Sequence, residues 1–272
     1  MKKFLALLLV SLMACGLTAC GGGEERAEAE ATFLAATEAA NLANTALDDA
    51  VSAAQEVLNL EKVALDESTR TDLQVVISAL RESRVTLPEK PSKAEDMVAE
   101  AEELMASIDY SEGLANLSEA KKALEDSMKQ MEQITNPTGD FVILRISEVE
   151  SIGDVRGVTE DNDPNGKLNK QGGYTSATYF ASTLIDQTSV YGSDTIEKGT
   201  AAGGCIEVYQ TPEGASTRND YLAAFDSAGA FSSGSHVVYG TVVIRTSDEL
   251  TATQQSELTE QIKGKLVELR DE

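Results

Sequence analysis

The chain has 272 residues, and its 46 acidic side chains against 22 Lys and Arg give a formal net charge of −24 at pH 7. Such a balance offers no basic face for neutralising phosphates, which argues against nucleic acid as a partner, and no polybasic patch for anionic lipids. One His and three Cys supply no cluster of the kind that holds zinc. The charge is even along the chain: residues 21–137 carry 25 acids and 10 bases, residues 138–272 carry 21 and 10. That distribution reads as a solvated surface, and the length allows two domains with ordinary cores.

The chain opens with MKKFLALLLVSLMACGLTAC. Lys2 and Lys3 precede an apolar run, Phe4 to Leu17, that is too short to span a bilayer and reads as a secretory signal. Leu17-Thr18-Ala19-Cys20 resembles the lipobox of bacterial lipoproteins. The resemblance implies that residues 1–19 are removed, that Cys20 carries a diacylglyceryl thioether and further acyl chains such as palmitate, and that the chain is held at the extracytoplasmic face of the cell membrane. A second box ending at Cys15 fits less well, because Met13 is bulky where small residues are preferred. Multiple acyl chains anchor stably where one is marginal. Residues 20–24, with Gly21 to Gly23, form a flexible tether. Only Cys205 then remains, so the mature chain has no intramolecular disulfide. Its setting in GGCIEVYQ predicts a buried, inert thiol.

Residues 25–136 read as a helical bundle or hairpin stalk. Glu25 to about Leu65 has no Pro and few β-branched residues, and Leu47, Val51, Ala54 and Leu58 form one stripe. A second helix starts at Ser68 with Leu73, Val76, Ile77 and Leu80 inward. A third opens on a capping box of Ser92 with Glu95. A fourth, from Ser111, aligns Leu117, Ala120, Leu124, Met128, Met131 and Ile134. Residues 47–83 resemble the FIVAR helical modules of Gram-positive surface proteins, which implies a stalk or adhesion role.

Beyond NPTG at 136–139 the texture changes to strands, glycines and aromatics, giving a second domain over 137–272. A short helix carries Phe141, Leu144 or Arg145, and Val149. DVRGVTE (154–160) and GYTSATYFAST (173–183) read as paired strands, and GGCIEVYQ as a third. Thr211 caps a helix with Pro212 at its first position and with Leu222 and Phe225 facing a core. HVVYGTVVIRTS, almost continuously apolar, reads as one central strand covered on both faces. A capping box of Thr251 with Gln254 opens the last helix. The fold class is therefore α+β in two domains, helices first and then an antiparallel sheet packed with helices, of ferredoxin-like type. Residues 138–272 resemble an uncharacterised domain of secreted and lipid-anchored Gram-positive proteins, through VTEDNDPNGKLNKQGGYTSATYF, GGCIEVYQ, TRNDYLAAFD and GTVVIRTSDELTATQQSEL. The resemblance implies a compartment and no activity.

The loop TEDNDPNGKLNKQGG holds half of an EF-hand-like calcium pattern: Asp161, Asp163 and Asn165 at positions 1, 3 and 5, Gly166 at 6, and the Lys167 carbonyl at 7. Position 12 is Gly172 where a bidentate Glu belongs, so Glu160, Asp186 or Asp194 would have to close the site. The same Asp, Asn, Pro and Gly residues also favour plain turns. His236 beside Ser235 lacks the nucleophile elbow of a hydrolase. The long connection 184–204, with Tyr174, Tyr179 and Tyr191 near it in sequence, is the candidate recognition surface for an envelope protein or glycan. The leading expectation is a non-enzymatic, lipid-anchored envelope protein whose stalk presents a binding domain. The alternatives are a solute-capturing or calcium-responsive sensor, and an envelope hydrolase.

Overall fold

In a computed structural model, the described residues are 22–226 and 234–270, so the signal segment and Cys20 lie outside them. They fall into two compact units. One draws on the chain up to Glu56 and on Gln74–Glu119, the other on Val57–Leu73 and the chain from Ala120 onward. No helix among the described residues is long and apolar enough to cross a membrane.

The first unit is helical, built from α1 (Gly22–Leu58), α2 (Ser68–Ser83), α3 (Ala94–Ser107) and α4 (Ser111–Gln133), of which α1, α2 and α4 lend residues to both units. Alanines on α1 allow close helix approach: Ala36 and Ala40 meet Ala101 and Leu104, and Ala29 and Phe33 meet Met97. One polar knot sits inside. Buried Asn44 donates to the Val85 carbonyl (2.9 Å) and accepts from the Tyr110 hydroxyl (2.7 Å), which in turn accepts the Val85 amide (2.9 Å). The expected capping box at Ser92 does not form. The N-cap is Lys93, without a side-chain bond, and the first helical bond runs from the Met97 amide to the Lys93 carbonyl. Ser92 stands one residue too early, and Glu95 and Asp96 complement the helix dipole instead.

The second unit holds the sheet. Its elements are α5 (Gly139–Ile146), β1 (Ile152–Gly157), β2 (Ser176–Ser182), α6 (Thr195–Lys198), β3 (Gly203–Val208), α7 (Pro212–Asp226), β4 (Ser235–Tyr239), β5 (Val242–Thr246) and α8 (Ala252–Val267). All neighbouring strands are antiparallel, in the order β1-β2-β3-β5-β4. The α+β class is as expected, but this order is not the ferredoxin-like one. Here β1, β2 and β3 are sheet neighbours in chain order, and HVVYGTVVIRTS is two strands and not one. Gly240, at φ +63°, turns the chain so that Tyr239 pairs with Val242, as a glycine at the first position of a two-residue hairpin loop allows.

This unit also takes in residues 57–73 and 120–136, which the sequence assigns to the stalk. Leu65, Met131 and Ile134 join the core between the sheet and helices α5 and α8, where Phe180, Ile206, Val208, Val242 and Ile244 meet Val142, Ile146, Leu258, Ile262 and Leu266. The Thr241 amide donates to the Ile134 carbonyl. Helix α1 stops at Leu58 and not near Leu65 because Arg70 binds the freed carbonyls of Leu58 (2.6 Å) and Lys62 (2.7 Å). Buried Ser127 then takes the Asp66 amide at 2.8 Å.

Candidate functional site

Strand alternation turns one set of side chains toward α7. The registers line up Tyr179, Cys205, Arg245 and His236 as one row across β2, β3, β5 and β4, with Ala177, Glu207, Val243 and Val238 in the next. The apolar members of this face pack with Ala215 and Leu222 of α7, with Leu168 and with Ile196. Phe225, expected to face a core, lies outside on α7 at 41% exposure, tilted against Tyr221.

Glu207 is the centre of the face. Its carboxylate is fully buried (0% exposed) and accepts from Arg218 Nε (2.8 Å) and Nη2 (2.9 Å), Arg245 Nη1 (3.1 Å) and the Tyr209 hydroxyl (2.9 Å). Four donors fill the lone-pair sites of a carboxylate. Burial alone would raise its pKa. The Arg218 fork, the charges of Arg218 and Arg245 and the Tyr209 hydrogen bond outweigh that and hold it below the ordinary glutamate range. Helix α7 delivers Arg218 because Thr211 accepts the Gly214 amide and Pro212 starts the helix, as the sequence predicts. Two guanidiniums against one carboxylate leave an excess positive charge here, and Arg245 Nε has no hydrogen-bond partner.

Along the same row, burial pushes the Cys205 thiol far above the ordinary range, so it is protonated and a poor nucleophile. His236 stands two strands away across β5, about 9.5 Å at ordinary strand spacing. Its ring contacts Asn219 Oδ1 through Nδ1 and Asp226 Oδ2 through Nε2, both at 2.8 Å. Ser235, its sequence neighbour, alternates to the other face. Neither Cys205 nor Ser235 is therefore paired with the imidazole, and the row acts as a clamp that fixes α7 on the sheet.

The β1–β2 loop places the calcium-pattern residues as follows. Asp163 turns inward: one oxygen accepts the Lys167 (2.6 Å) and Leu168 (2.8 Å) amides, the other the Asn165 amide (3.0 Å) and the Tyr174 hydroxyl. Burial opposes ionisation of Asp163, but the Tyr174 hydroxyl and these amides lower its pKa overall. Asn165 donates to the hydroxyls of Tyr174 and Tyr179. Asp161 and Lys167 are exposed, and Glu160 is bonded by Asn169. Asp186 binds Thr188, and Asp194 caps α6. Among the described residues, no three His, Cys, Asp or Glu side chains are grouped to hold a metal ion.

The three tyrosines do not form one surface. Tyr174 and Tyr179 are core residues whose rings are covered and whose hydroxyls are bonded within the loop; Tyr191 alone is exposed, at 98%. The 184–204 connection is also more ordered than its polarity predicts. It contains α6 and a 3₁₀ turn, Gly199–Ala202, tied down by Lys198 to the Gln187 carbonyl (2.8 Å) and by Gln187 to the Ala202 carbonyl (2.7 Å).

No protein-family model, curated protein or solved structure matches the chain. The site therefore stands on its own geometry. The sequence reading passes over Glu207, Arg218 and Arg245 as a group. Two cues were present: a lone Glu within the apolar GGCIEVYQ, and a lone Arg within the apolar VVIRT of the strand beside it. A charge that close to an apolar run needs an opposite charge nearby. A groove of about 660 Å³ lies elsewhere, open to solvent, with Asp126, Glu148, Glu150, Lys265 and Glu268 among its lining residues.

Proposed function

We propose that the protein is a lipid-anchored component of a bacterial cell envelope, with its helical N-terminal half as a spacer and its sheet-bearing half as a binding module without catalytic chemistry. The observation that carries this reading is the LTAC sequence ending at Cys20, two residues before the start of α1 at Gly22. Helix α1 begins at Gly22, so residues 22–24 of the expected flexible tether are helical, and its 37 residues correspond to about 55 Å of helix at 1.5 Å per residue. The acidic surface keeps such a chain off anionic headgroups and leaves the lipid as its attachment. In the sheet-bearing half, the Glu207 clamp and the Asp163 loop support rigid presentation rather than turnover, because their titratable groups are occupied by one another. The resemblances to FIVAR modules and to the Gram-positive domain point to the same compartment.

The test is expression in a bacterial host with its lipoprotein-processing enzymes, followed by intact-mass measurement and detergent phase partition. The expected product begins at Cys20, carries diacylglyceryl and fatty-acyl mass, and partitions into detergent, while Cys20→Ser does neither. An intact Met1 terminus, or a Cys20 thiol free of acyl groups, overturns the anchor.

A further inference from the structure

The two edges of the sheet are treated differently. At the β1 edge the register slips between Ile152 and Val155, and Asp154 and Arg156 pair at 2.9 Å on the strand. A bulge and charges of this kind are how proteins keep an edge from accepting further strands. The β4 edge has neither. Ser235-His236-Val237-Val238-Tyr239 pairs with β5 in unbroken register over five residues, without Pro, Lys or bulge.

Which of its backbone groups face outward follows from the neighbouring ladder. The Ser247 amide donates to the Gly203 carbonyl and the Tyr209 amide to the Thr241 carbonyl. Residues 241, 243, 245 and 247 thus bond toward β3, and by antiparallel alternation Val242, Ile244 and Thr246 bond toward β4. On β4 their partners are Tyr239, Val237 and Ser235. The amides and carbonyls of His236 and Val238 therefore point away from the sheet, and no hydrogen bond among the described residues takes them up on that side. Helices α7 and α8 both contact β4: Val238 packs with the core beneath α7, and Val237 and Tyr239 pack with the core on the opposite face, where α8 lies.

We propose that this edge is a docking site for an extended, basic polypeptide segment that joins the sheet as a sixth strand. The proposal rests on the reading of the sheet-bearing half as a binding module, and not on the lipid anchor. Charge chooses the occupant. Asp226 lies beside His236 (2.8 Å), exposed Asp248 and Glu249 follow the β5 end that faces Ser235, and Glu260 is tied to Lys263, whose Nζ is 5.7 Å from the Tyr239 ring. The excess of acid thus lies at the Ser235 end of the edge, while at the Tyr239 end Glu260 and Lys263 balance one another. A second copy would bring the same acids together and a charge of −24 on each chain. A strand with Lys or Arg at the end beside Ser235 and small or β-branched apolar residues after them matches the edge in charge and in pleat.

The test uses the full chain in detergent solution and a displayed library of short random peptides, with amide hydrogen exchange on the best binder. Enriched peptides are expected to alternate apolar and polar positions, to carry Lys or Arg, and to slow exchange of the His236 and Val238 amides. Val238→Pro deletes an outward N–H but no bond to β5, and edge positions tolerate proline. It should weaken peptide binding roughly tenfold or more, with Val238→Thr close to wild type. Peptides that bind equally to Val238→Pro and leave those two amides unprotected overturn the edge and leave the binding module standing. No enrichment over the Val238→Pro chain overturns both. Protection of the same amides that grows with chain concentration alone assigns the edge to a second copy and overturns the basic partner. Should Val238→Pro melt early, exchange on the wild-type chain decides.

Discussion

Glu207→Gln is the most informative single change to the sheet-bearing half. The glutamine keeps the shape and loses the charge, so a buried guanidinium, Arg245, and a half-buried one, Arg218, remain without a counter-ion. Removing one partner of a buried ion pair costs about 3–5 kcal/mol, because the other charge stays desolvated. At about 2–4 °C per kcal/mol for a domain of this size, the sheet-bearing half should melt about 10 °C lower. Circular dichroism with temperature and urea measures both quantities. The pH dependence separates charge from shape. Glu207 has its pKa held below the ordinary range in the folded state, so its contribution is complete above the unfolded glutamate value of about 4.3 and fades as pH falls through the lower folded value. The gap between wild type and Glu207→Gln should therefore narrow on acidification. Replacing all three charges with apolar residues of similar volume should restore stability, since such exchanges are neutral or favourable by about 1–4 kcal/mol. A Glu207→Gln chain within about 1 kcal/mol of wild type at neutral pH would show that the triad is hydrated and not a clamp.

Other expectations follow from single contacts. Asp163→Ala removes the acceptor for three amides and the Tyr174 hydroxyl and should cost about 1–3 kcal/mol by leaving donors unpaired. Because those donors already occupy Asp163, calcium should leave the wild-type melting temperature unchanged, and a rise that Asp163→Ala abolishes would refute this. Asn44→Ala strips the Val85 carbonyl and the Tyr110 hydroxyl of their partner, with an expected loss of about 1–3 kcal/mol in urea titration. Cys205 should resist a thiol-specific reagent in the native chain and react at the unfolding rate, as its full burial and raised pKa require; fast labelling under native conditions contradicts the buried row.

Elements whose signal is local were legible in the sequence. Of the stripe Leu47, Val51, Ala54 and Leu58, the first three are buried on α1 and Leu58 is half-buried at its end, and Thr251 with Gln254 forms the capping box that opens α8. Features fixed by distant partners were not. The end of α1 depends on Arg70, 12 residues beyond Leu58, and the burial of Glu207 depends on arginines 11 and 38 residues further on. The hairpin in HVVYGTVVIRTS was hidden for another reason. The run is apolar on both sides of Gly240, so it has no period of two to mark where one strand ends. Burial separates the halves: every residue of β5 is buried, while every residue of β4 is half-buried, as an edge strand between two helices should be.

The loop at 159–173 shows why residue type alone leaves two chemistries open. An Asp in an Asx-type turn and an Asp in a cation site use the same lone pairs, and Asn and Gly serve both. What separates them is the neighbour that fixes the carboxylate. Leu168, at the apolar eighth place of the calcium pattern, is buried with Tyr174 and Tyr179 in the core beneath α7. Anchoring Leu168 there brings its amide and that of Lys167 onto one Asp163 oxygen, and Tyr174 supplies a hydroxyl to the other. The apolar residue at the eighth place of the half-pattern is thus the one that commits Asp163 to the loop itself. Leu168→Asn should accordingly release the loop before it disturbs the sheet, with faster exchange of the Lys167 and Leu168-position amides and unchanged protection in β3. Simultaneous loss of protection in both would place the loop within the cooperative core and refute this order of events.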